Sequence, residues 1–296
     1  MEGTDWKHVR LFLWVVPRTV STALTKCLSA IDGMKVWFEC FTTCSTARKQ
    51  YQLVTGENLP MEYKGNEEKA RHAADILQPL LGGGTVQPDQ LMYGNVKRKI
   101  ESSASKCVLV KEGYFAFPDE KSRDYLPAGF KHVFLIRDPY KVLTSYKKAM
   151  TIHLLKTGLL TSESVKTFNL EKDDPVLNAG EFFRGIHDIW KYIRGNVDPN
   201  AVVINTDDLL AKPAEVLKKF CHLTGLPYSD ALLQWEASLD FKASKDGFDT
   251  FYETAISSSG FLPPKPTPCR GSLAPDVIKL AEASMPYFEE INKHKI

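Results

Sequence analysis

Five short apolar runs along the chain predict β-strands. Each run is rich in β-branched and aromatic residues and is nearly continuous in apolar character, whereas a strand with one face in water would alternate. The runs are Val9–Val16, Met34–Phe38, Lys106–Val110, His132–Ile136 and Ala201–Asn205. This pattern is typical of parallel strands in a sheet that is covered on both faces.

Segments with helical spacing of apolar residues lie between these runs. They are Thr19–Ile31, Asn66–Leu81, Pro139–Leu155, Ala179–Arg194, Pro213–Thr224 and Pro275–Lys293. The alternation of strands and helices predicts an α/β fold, with a central, mostly parallel sheet flanked by helices on both faces. We find no internal repeat and no sharp shift in composition, so we expect one domain over residues 1–296.

Three stretches predict loops. The triple glycine Gly82–Gly84 is expected to end one helix, and residues 156–176 read as a flexible connection or a lid. Residues 257–275 are rich in proline, serine and glycine and predict irregular structure.

Charge and cysteine content exclude several classes of protein. The 38 basic and 36 acidic residues give a formal net charge of +2, so neither nucleic acid nor a membrane is expected as a partner. The apolar run Leu11–Val16 is too short for a signal-peptide core or a membrane span, and we expect a cytoplasmic protein. Six cysteines, with Cys40 and Cys44 as a lone pair, predict buried thiols and no metal site.

The junction between the first predicted strand and helix offers groups that bind phosphate. A helix N-terminus presents unpaired N–H groups and the positive end of a dipole, and Arg18, Ser21 and Thr22 add donors there. The glycines and the lysine of the nucleoside-triphosphate loop, G-x-x-x-x-G-K-[ST], are missing. Taken alone, the junction is either another kind of phosphate loop or an ordinary helix cap.

Further charged residues follow the other predicted strands. Glu39 comes after the second strand, Lys111 and Glu112 after the third, and Arg137 after the fourth. Ligands bind beyond the carboxyl ends of the strands in an open parallel sheet, so we expect these groups to converge there.

Three segments, in this order, resemble motifs of the sulfotransferase family. The segment "PRTVSTAL" resembles that family's loop P-[KR]-[ST]-G-[ST]-T, and "VFLIRDPYKVLTSY" resembles its second motif, with Arg137 and Ser145 at the two anchor positions. The segment "VVINTDDLLAKPAEVLKKFCHLTGLP" is similar to a third motif, with Thr206 where tyrosine is common. The ordered set spans residues 10–227 and is far more specific than any one match.

The resemblance implies a P-loop-like sulfotransferase fold and the sulfuryl donor 3′-phosphoadenosine 5′-phosphosulfate (PAPS), which leaves as PAP without a metal. It implies that Arg18 also acts in catalysis and that Arg137 and Ser145 hold the 3′-phosphate. The loop residues implied to hold the 5′-phosphosulfate are Arg18, Thr19, Val20, Ser21, Thr22 and Ala23. Other cofactor-binding candidates are Thr206, Arg270 and Gly271.

Two departures from the family pattern concern the loop and the catalytic base. Val20 replaces the usual glycine, which predicts either a negative φ at this residue or an altered loop. The histidine that follows the third strand in the small-molecule branch is replaced here by Gly113. The protein-tyrosine branch uses a glutamate 21 residues beyond the loop arginine, and this spacing gives Glu39.

We therefore predict a PAPS-dependent sulfotransferase with Glu39 as the general base for an acceptor hydroxyl, on a small molecule or a larger acceptor. Glu39 as a cap for a helix beginning near Thr42 is the alternative, and Glu112 is the next candidate base. Two other functions stay open: a sulfotransferase-like protein that binds PAP or PAPS without turnover, and a P-loop nucleotide kinase, which the missing loop lysine disfavours. The acceptor and the oligomeric state stay open.

Overall fold

A computed structural model describes residues 8–81, 85–237 and 249–296. The strands are β1 (Val9–Val15), β2 (Met34–Phe38), β3 (Cys107–Gly113), β4 (Lys131–Ile136) and β5 (Val202–Asn205). They form one parallel sheet in the order β2-β3-β1-β4-β5. The predicted α/β fold is confirmed, while the prediction for Gly82–Gly84 lies outside the described residues.

Twelve α-helices connect these strands in the described part of the chain. They are α1 (Ser21–Ser29), α2 (Cys40–Thr55), α3 (Glu67–Leu77), α4 (Tyr93–Glu101), α5 (Glu120–Arg123), α6 (Pro139–Lys156), α7 (Leu170–Asp173), α8 (Phe182–Asn196), α9 (Thr206–Ala211), α10 (Pro213–Thr224), α11 (Glu253–Ser257) and α12 (Pro275–Asn292). Short 3₁₀ turns occupy Gln78–Leu81, Pro88–Leu91, Tyr114–Ala116, Ser164–Lys166, Ala179–Glu181, Asp230–Leu233, Asp249–Phe251 and Arg270–Ser272.

The two faces of β1 build separate layers of the core. Phe12 and Trp14 point into a layer formed with α2, α6, α8 and α12. Leu11 and Leu13 point into the opposite layer, formed with α1 and α10. All four side chains are at most 1% exposed, which explains why the strand reads as a continuous apolar run.

The strand β3 runs three residues beyond its predicted end at Val110. Lys111 and Glu112 continue the pairing with β1, in register with Leu13 and Trp14. Both side chains are charged yet nearly inaccessible to solvent, because each has a polar partner. This extension brings the two charged residues to the edge of the sheet.

The structure corrects the prediction of a flexible connection or lid at residues 156–176. Phe168 and Leu170 are buried, and the Asp276 carboxylate accepts a hydrogen bond of 2.7 Å from the Leu170 N–H. Lys147 Nζ donates to both oxygens of the same carboxylate, at 2.8 and 2.7 Å. These contacts fasten the segment to α6 and α12.

No helix in residues 8–81, 85–237 and 249–296 has the length and apolar character that a membrane span requires.

Candidate functional site

A cavity of about 2240 Å³ lies at the carboxyl edge of the sheet. Its wall includes Arg18 beyond β1, Glu39 beyond β2, Lys111 near the end of β3 and Arg137 beyond β4. The expected convergence of these groups is therefore observed. The volume exceeds the roughly 300–1,000 Å³ of a typical small-molecule pocket, so the cavity has room for two substrates side by side.

The loop after β1 leads into α1 with two residues in the left-handed region. Arg18 has a φ of 68° and Val20 a φ of 64°, so the prediction of a negative φ at Val20 is wrong. A β-branched residue in this region costs about 1–3 kcal/mol. Val20 thus keeps the backbone conformation that a glycine adopts without strain, and its side chain lines the cavity.

The first turn of α1 faces the cavity. Val20 precedes this helix and supplies no side-chain cap. Ser21, Thr22 and Ala23 line the cavity, so the N–H groups of this turn are placed to meet an anion.

Thr19 and Thr206, both named from the sequence, stabilise the loop after β1 from its buried side. The Thr19 hydroxyl donates to the Val16 carbonyl at 2.9 Å, and the Thr206 hydroxyl donates to the Thr19 carbonyl at 2.8 Å. Both threonines are fully buried, and neither lines the cavity. The structure therefore corrects the expectation for their side chains, and any contact of Thr19 with a cofactor would use its backbone N–H.

Arg18 makes hydrogen bonds with both Ser145 and Arg137. Arg18 Nε donates to Ser145 Oγ at 3.0 Å, and Arg137 Nη1 donates to the Arg18 carbonyl at 3.0 Å. Arg137 Nε is buried without a hydrogen-bond acceptor in the described part of the chain. An N–H group of this kind is costly unless a ligand accepts from it.

Arg18 and Arg137 place two positive charges close together at this edge of the sheet. Burial, and then the neighbouring Arg137, lower the pKa of Arg18, and burial lowers the pKa of Arg137. Asp207 approaches Arg137 only to 3.9 Å and is shared with Lys141 Nζ at 2.9 Å. Two partly buried guanidinium groups beside a helix N-terminus offer N–H donors of the kind that an anion accepts from.

Glu39 faces the cavity and does not cap a helix. It adopts a φ of 56° directly before α2, and its side chain makes no cap hydrogen bond. One carboxylate oxygen, Oε1, pairs with Lys111 Nζ, and the other, Oε2, accepts from the Tyr252 hydroxyl at 3.3 Å. The capping alternative is therefore excluded for Glu39.

Glu112 caps α2 instead. Its carboxylate accepts from the Phe41 N–H at 2.7 Å and from the Thr42 N–H and hydroxyl, both at 2.9 Å. Burial raises the pKa of Glu112 to about 8, although these hydrogen bonds act against the shift. Glu112 is 0% exposed and does not line the cavity, so it is removed as an alternative base.

The position of the missing histidine is closed to side chains. A Cβ atom at Gly113 would lie 2.5 Å from Cζ of the Phe115 ring. A histidine there would require the Phe115 ring to move.

Residues 250–258, called the strap below, cross the site and were missed by sequence reasoning. The Phe251 carbonyl accepts from Arg18 Nη1, and the Phe251 ring packs against Tyr146 with the centroids 5.9 Å apart. The buried Lys26 Nζ donates to the Ala255 carbonyl at 2.8 Å and to the Ser258 carbonyl at 3.3 Å. The strap thus touches both Arg18 and, through Tyr252, Glu39.

The late candidates Arg270 and Gly271 do not line the cavity. Arg270 is exposed, donates to the Tyr140 hydroxyl at 2.8 Å from Nη2 and pairs with Glu282. Their role in cofactor binding stays a prediction. Within residues 8–81, 85–237 and 249–296, no group of three or more His, Cys, Asp or Glu side chains could hold a metal ion.

A family model described as a sulfotransferase domain matches residues 195–295. This match confirms the resemblance to sulfotransferases that the motifs indicate, while the branch of the family stays a prediction. Two proteins of Arabidopsis thaliana also match: branched-chain-amino-acid aminotransferase-like protein 1, 22% identical over 74% of this chain, and protein 2, 23% identical over 86%. The chain spans 33% and 36% of the length of these relatives.

Several solved sulfotransferase structures resemble this chain. The sulfotransferase domain of the Synechococcus PCC 7002 olefin synthase has a TM-score of 0.47 and 16% identity, covering 95% of this chain and 96% of its own. An Alicyclobacillus acidocaldarius sulfotransferase has a TM-score of 0.46 and 13% identity, with 97% and 96% coverage. Mouse sulfotransferase SULT7A1, solved with PAP, has a TM-score of 0.44 and 11% identity, with 98% and 81% coverage.

The left-handed backbone at Val20 predicts that Val20→Gly stabilises the protein. Relief of the strain outweighs the greater freedom of glycine in the unfolded chain, so we expect a gain of about 1 kcal/mol in the free energy of unfolding. Urea denaturation measures it, with Val20→Ala as the matched variant and a smaller gain expected. A loss of stability in Val20→Gly would contradict the strain.

The raised pKa of Glu112 predicts a dependence of stability on pH. Because the folded-state pKa of about 8 lies above the ordinary value of 4.5, the folded protein holds a proton that the unfolded chain has lost across this window. The free energy of unfolding should therefore fall as the pH rises from about 5 to 8. Glu112→Gln should show a shallower decline in urea titrations at several pH values, and parallel slopes for both proteins would contradict this assignment.

Proposed function

We propose that this chain, acting as one domain, transfers a sulfuryl group from PAPS to an acceptor hydroxyl and releases PAP. The observation that carries the proposal is the pair of partly buried guanidinium groups, Arg18 and Arg137, that line the cavity beside the N-terminus of α1. PAPS carries a phosphosulfate and a separate 3′-phosphate, so it supplies anions to both and brings the sulfuryl group itself. Neither anion requires a metal when cations and helix N–H groups surround it.

On the donor side, the first turn of α1 and Arg18 would hold the 5′-phosphosulfate. Ser21 and Thr22 add hydroxyls at the cavity wall. Arg18 would stabilise the charge that develops on the departing phosphate, as electrostatic catalysis requires. The Phe251 carbonyl now accepts from Arg18 Nη1 and would have to yield this donor.

Arg137 and Ser145 would hold the 3′-phosphate. Arg137 Nε is buried with no acceptor in the described residues, and a phosphate oxygen would satisfy it. Ser145 Oγ lies 3.0 Å from Arg18 Nε. A ligand that reaches Ser145 therefore also meets Arg18.

On the acceptor side, Glu39 would accept the proton of the hydroxyl. Glu39 lines the same cavity as Arg18. Its carboxylate pairs with Lys111 and makes no cap hydrogen bond to α2. A base in this position would face a hydroxyl that approaches the sulfur.

Two observations favour turnover over simple nucleotide binding. Val20 retains the left-handed conformation, so its side chain does not by itself reshape the loop. Glu39 is also available in the cavity, although the usual histidine is absent. The names of the Arabidopsis relatives suggest aminotransferase chemistry, but the matched region is about a third of those proteins, and nothing in this cavity favours that activity.

Arg137→Ala should weaken binding of PAP far more than binding of AMP, which lacks the 3′-phosphate. Hydrogen bonds to a charged group contribute about 1.5–3 kcal/mol, so we expect at least a tenfold loss for PAP. Calorimetry with both nucleotides measures it, and Arg184→Ala, on the exposed side of α8, is the matched control. An equal loss for PAP and AMP would show that Arg137 does not contact the 3′-phosphate.

Glu39→Gln should lower the transfer rate while leaving PAP affinity unchanged. The substitution keeps the shape of the side chain and removes the proton acceptor, and a general base contributes roughly 10²–10⁴-fold. Transfer from labelled PAPS gives the rate, with the exposed Glu57→Gln as the control. Turnover near the wild-type rate would rule out Glu39 as the base.

A further inference from the structure

The chain places one of its own phenols on the proposed base. The Tyr252 hydroxyl lies 3.3 Å from Glu39 Oε2, and Tyr252 lines the cavity. The preceding residue, Phe251, contacts Arg18 through its carbonyl. Consecutive residues of the strap therefore contact Arg18 and Glu39, the groups that the proposed function assigns to the donor and the acceptor.

The two oxygens of Glu39 are not equivalent. Oε1 pairs with Lys111 Nζ, and the Lys111 side chain is only 5% exposed, which fixes this contact inside the sheet edge. Oε2 accepts from the Tyr252 hydroxyl at 3.3 Å, which is longer than the usual O–H···O hydrogen bond of about 2.5–3.0 Å, so this contact is the weaker of the two. An incoming hydroxyl can therefore reach Glu39 at Oε2, the oxygen that Tyr252 now contacts.

The Tyr252 ring lies in an aromatic slot. It meets the Phe38 ring at an interplanar angle of 61°, with the centroids 6.1 Å apart. Lys111 Nζ lies 4.4 Å from the centroid of the same Phe38 ring. Phe38 therefore contacts both the Tyr252 ring and the lysine that pairs with Glu39. Edge-to-face contacts of this kind favour an aromatic ring over an aliphatic one.

We propose that Tyr252 is a specificity-determining residue that occupies the acceptor position, so that an acceptor must displace its hydroxyl from Glu39 and its ring from Phe38. The inference rests on the proposed function and names the acceptor class as an aromatic hydroxyl. A phenol can replace the hydrogen bond to Glu39 and the ring contact with Phe38. An aliphatic alcohol regains only the hydrogen bond, and it therefore competes less well.

Two ligands of similar size separate the contribution of the aromatic ring from that of the hydroxyl. The phenol 4-methylphenol carries the ring and hydroxyl of tyrosine, and 4-methylcyclohexanol keeps the hydroxyl without the aromatic ring. Calorimetry would measure both ligands, with and without PAP, on wild type, Tyr252→Phe, Tyr252→Ala and the control Tyr228→Ala. Tyr228 contacts Asp230 and does not line the cavity.

We expect both Tyr252 variants to bind 4-methylphenol more tightly than wild type. Loss of the competing hydroxyl in Tyr252→Phe should give about a fivefold gain, the size of one net hydrogen bond. Tyr252→Ala also opens the ring slot and should gain more. The phenol should bind more tightly than 4-methylcyclohexanol throughout, and Tyr228→Ala should match wild type.

Kinetics separate competition from a merely structural role. If Tyr252 competes, Tyr252→Phe lowers the KM for 4-methylphenol and leaves kcat within about twofold. A lower kcat at unchanged KM would mean that Tyr252 orients Glu39 and would overturn the proposal. Thermal unfolding confirms that each variant folds.

The outcomes distinguish this inference from the function on which it rests. Phenol affinity that is unchanged or weaker in both Tyr252 variants, or no preference for the aromatic ring, overturns the inference while PAP binding still stands. Failure of wild type to bind PAP contradicts the proposed donor. A gain in phenol affinity measured without PAP would still support the acceptor slot.

Discussion

Repulsion between two partly buried guanidinium groups, those of Arg18 and Arg137, is the constraint around which the carboxyl edge of the sheet is arranged. Arg137 reaches the carbonyl of Arg18, and burial lowers the pKa of both side chains. The fold compensates with backbone oxygens, with Ser145 and with the partly shared carboxylate of Asp207. This compensation leaves Arg137 Nε without an acceptor in the described residues. An anion between Arg18 and Arg137 would accept from this N–H group and offset the two positive charges. The other side chains of the site are arranged around the place that such an anion would occupy.

Two glutamates at the carboxyl ends of β2 and β3 have different roles. Glu112 caps α2 and is inaccessible, which leaves Glu39 exposed to the cavity even though it directly precedes that helix. Lys111 and Glu112 are neighbours on β3 and point to opposite faces, as alternation along a strand requires. The end of β3 therefore holds the Glu39 carboxylate through Lys111 and the N-terminus of α2 through Glu112.

Much of the fold and part of the site could be predicted from the sequence because the signals were local. Pro213–Thr224 has the predicted bounds, since Pro213 and Gly225 mark its two ends. The convergence of Arg18, Glu39 and Arg137 followed from the geometry of parallel sheets. The left-handed φ of Val20 could not be predicted, because surrounding structure overrides its preference. Tyr252 lies in the strap, where no periodic pattern or spacing marks its contact with Glu39.

The crystal structure of the complex with PAP tests the central claim most directly. We expect the 5′-phosphate at the N-terminus of α1 in contact with Arg18, with the Phe251 carbonyl displaced from that side chain. We also expect the 3′-phosphate on Arg137 and Ser145. PAP bound elsewhere, or bound in the cavity with both arginines still turned to their present partners, would contradict this claim.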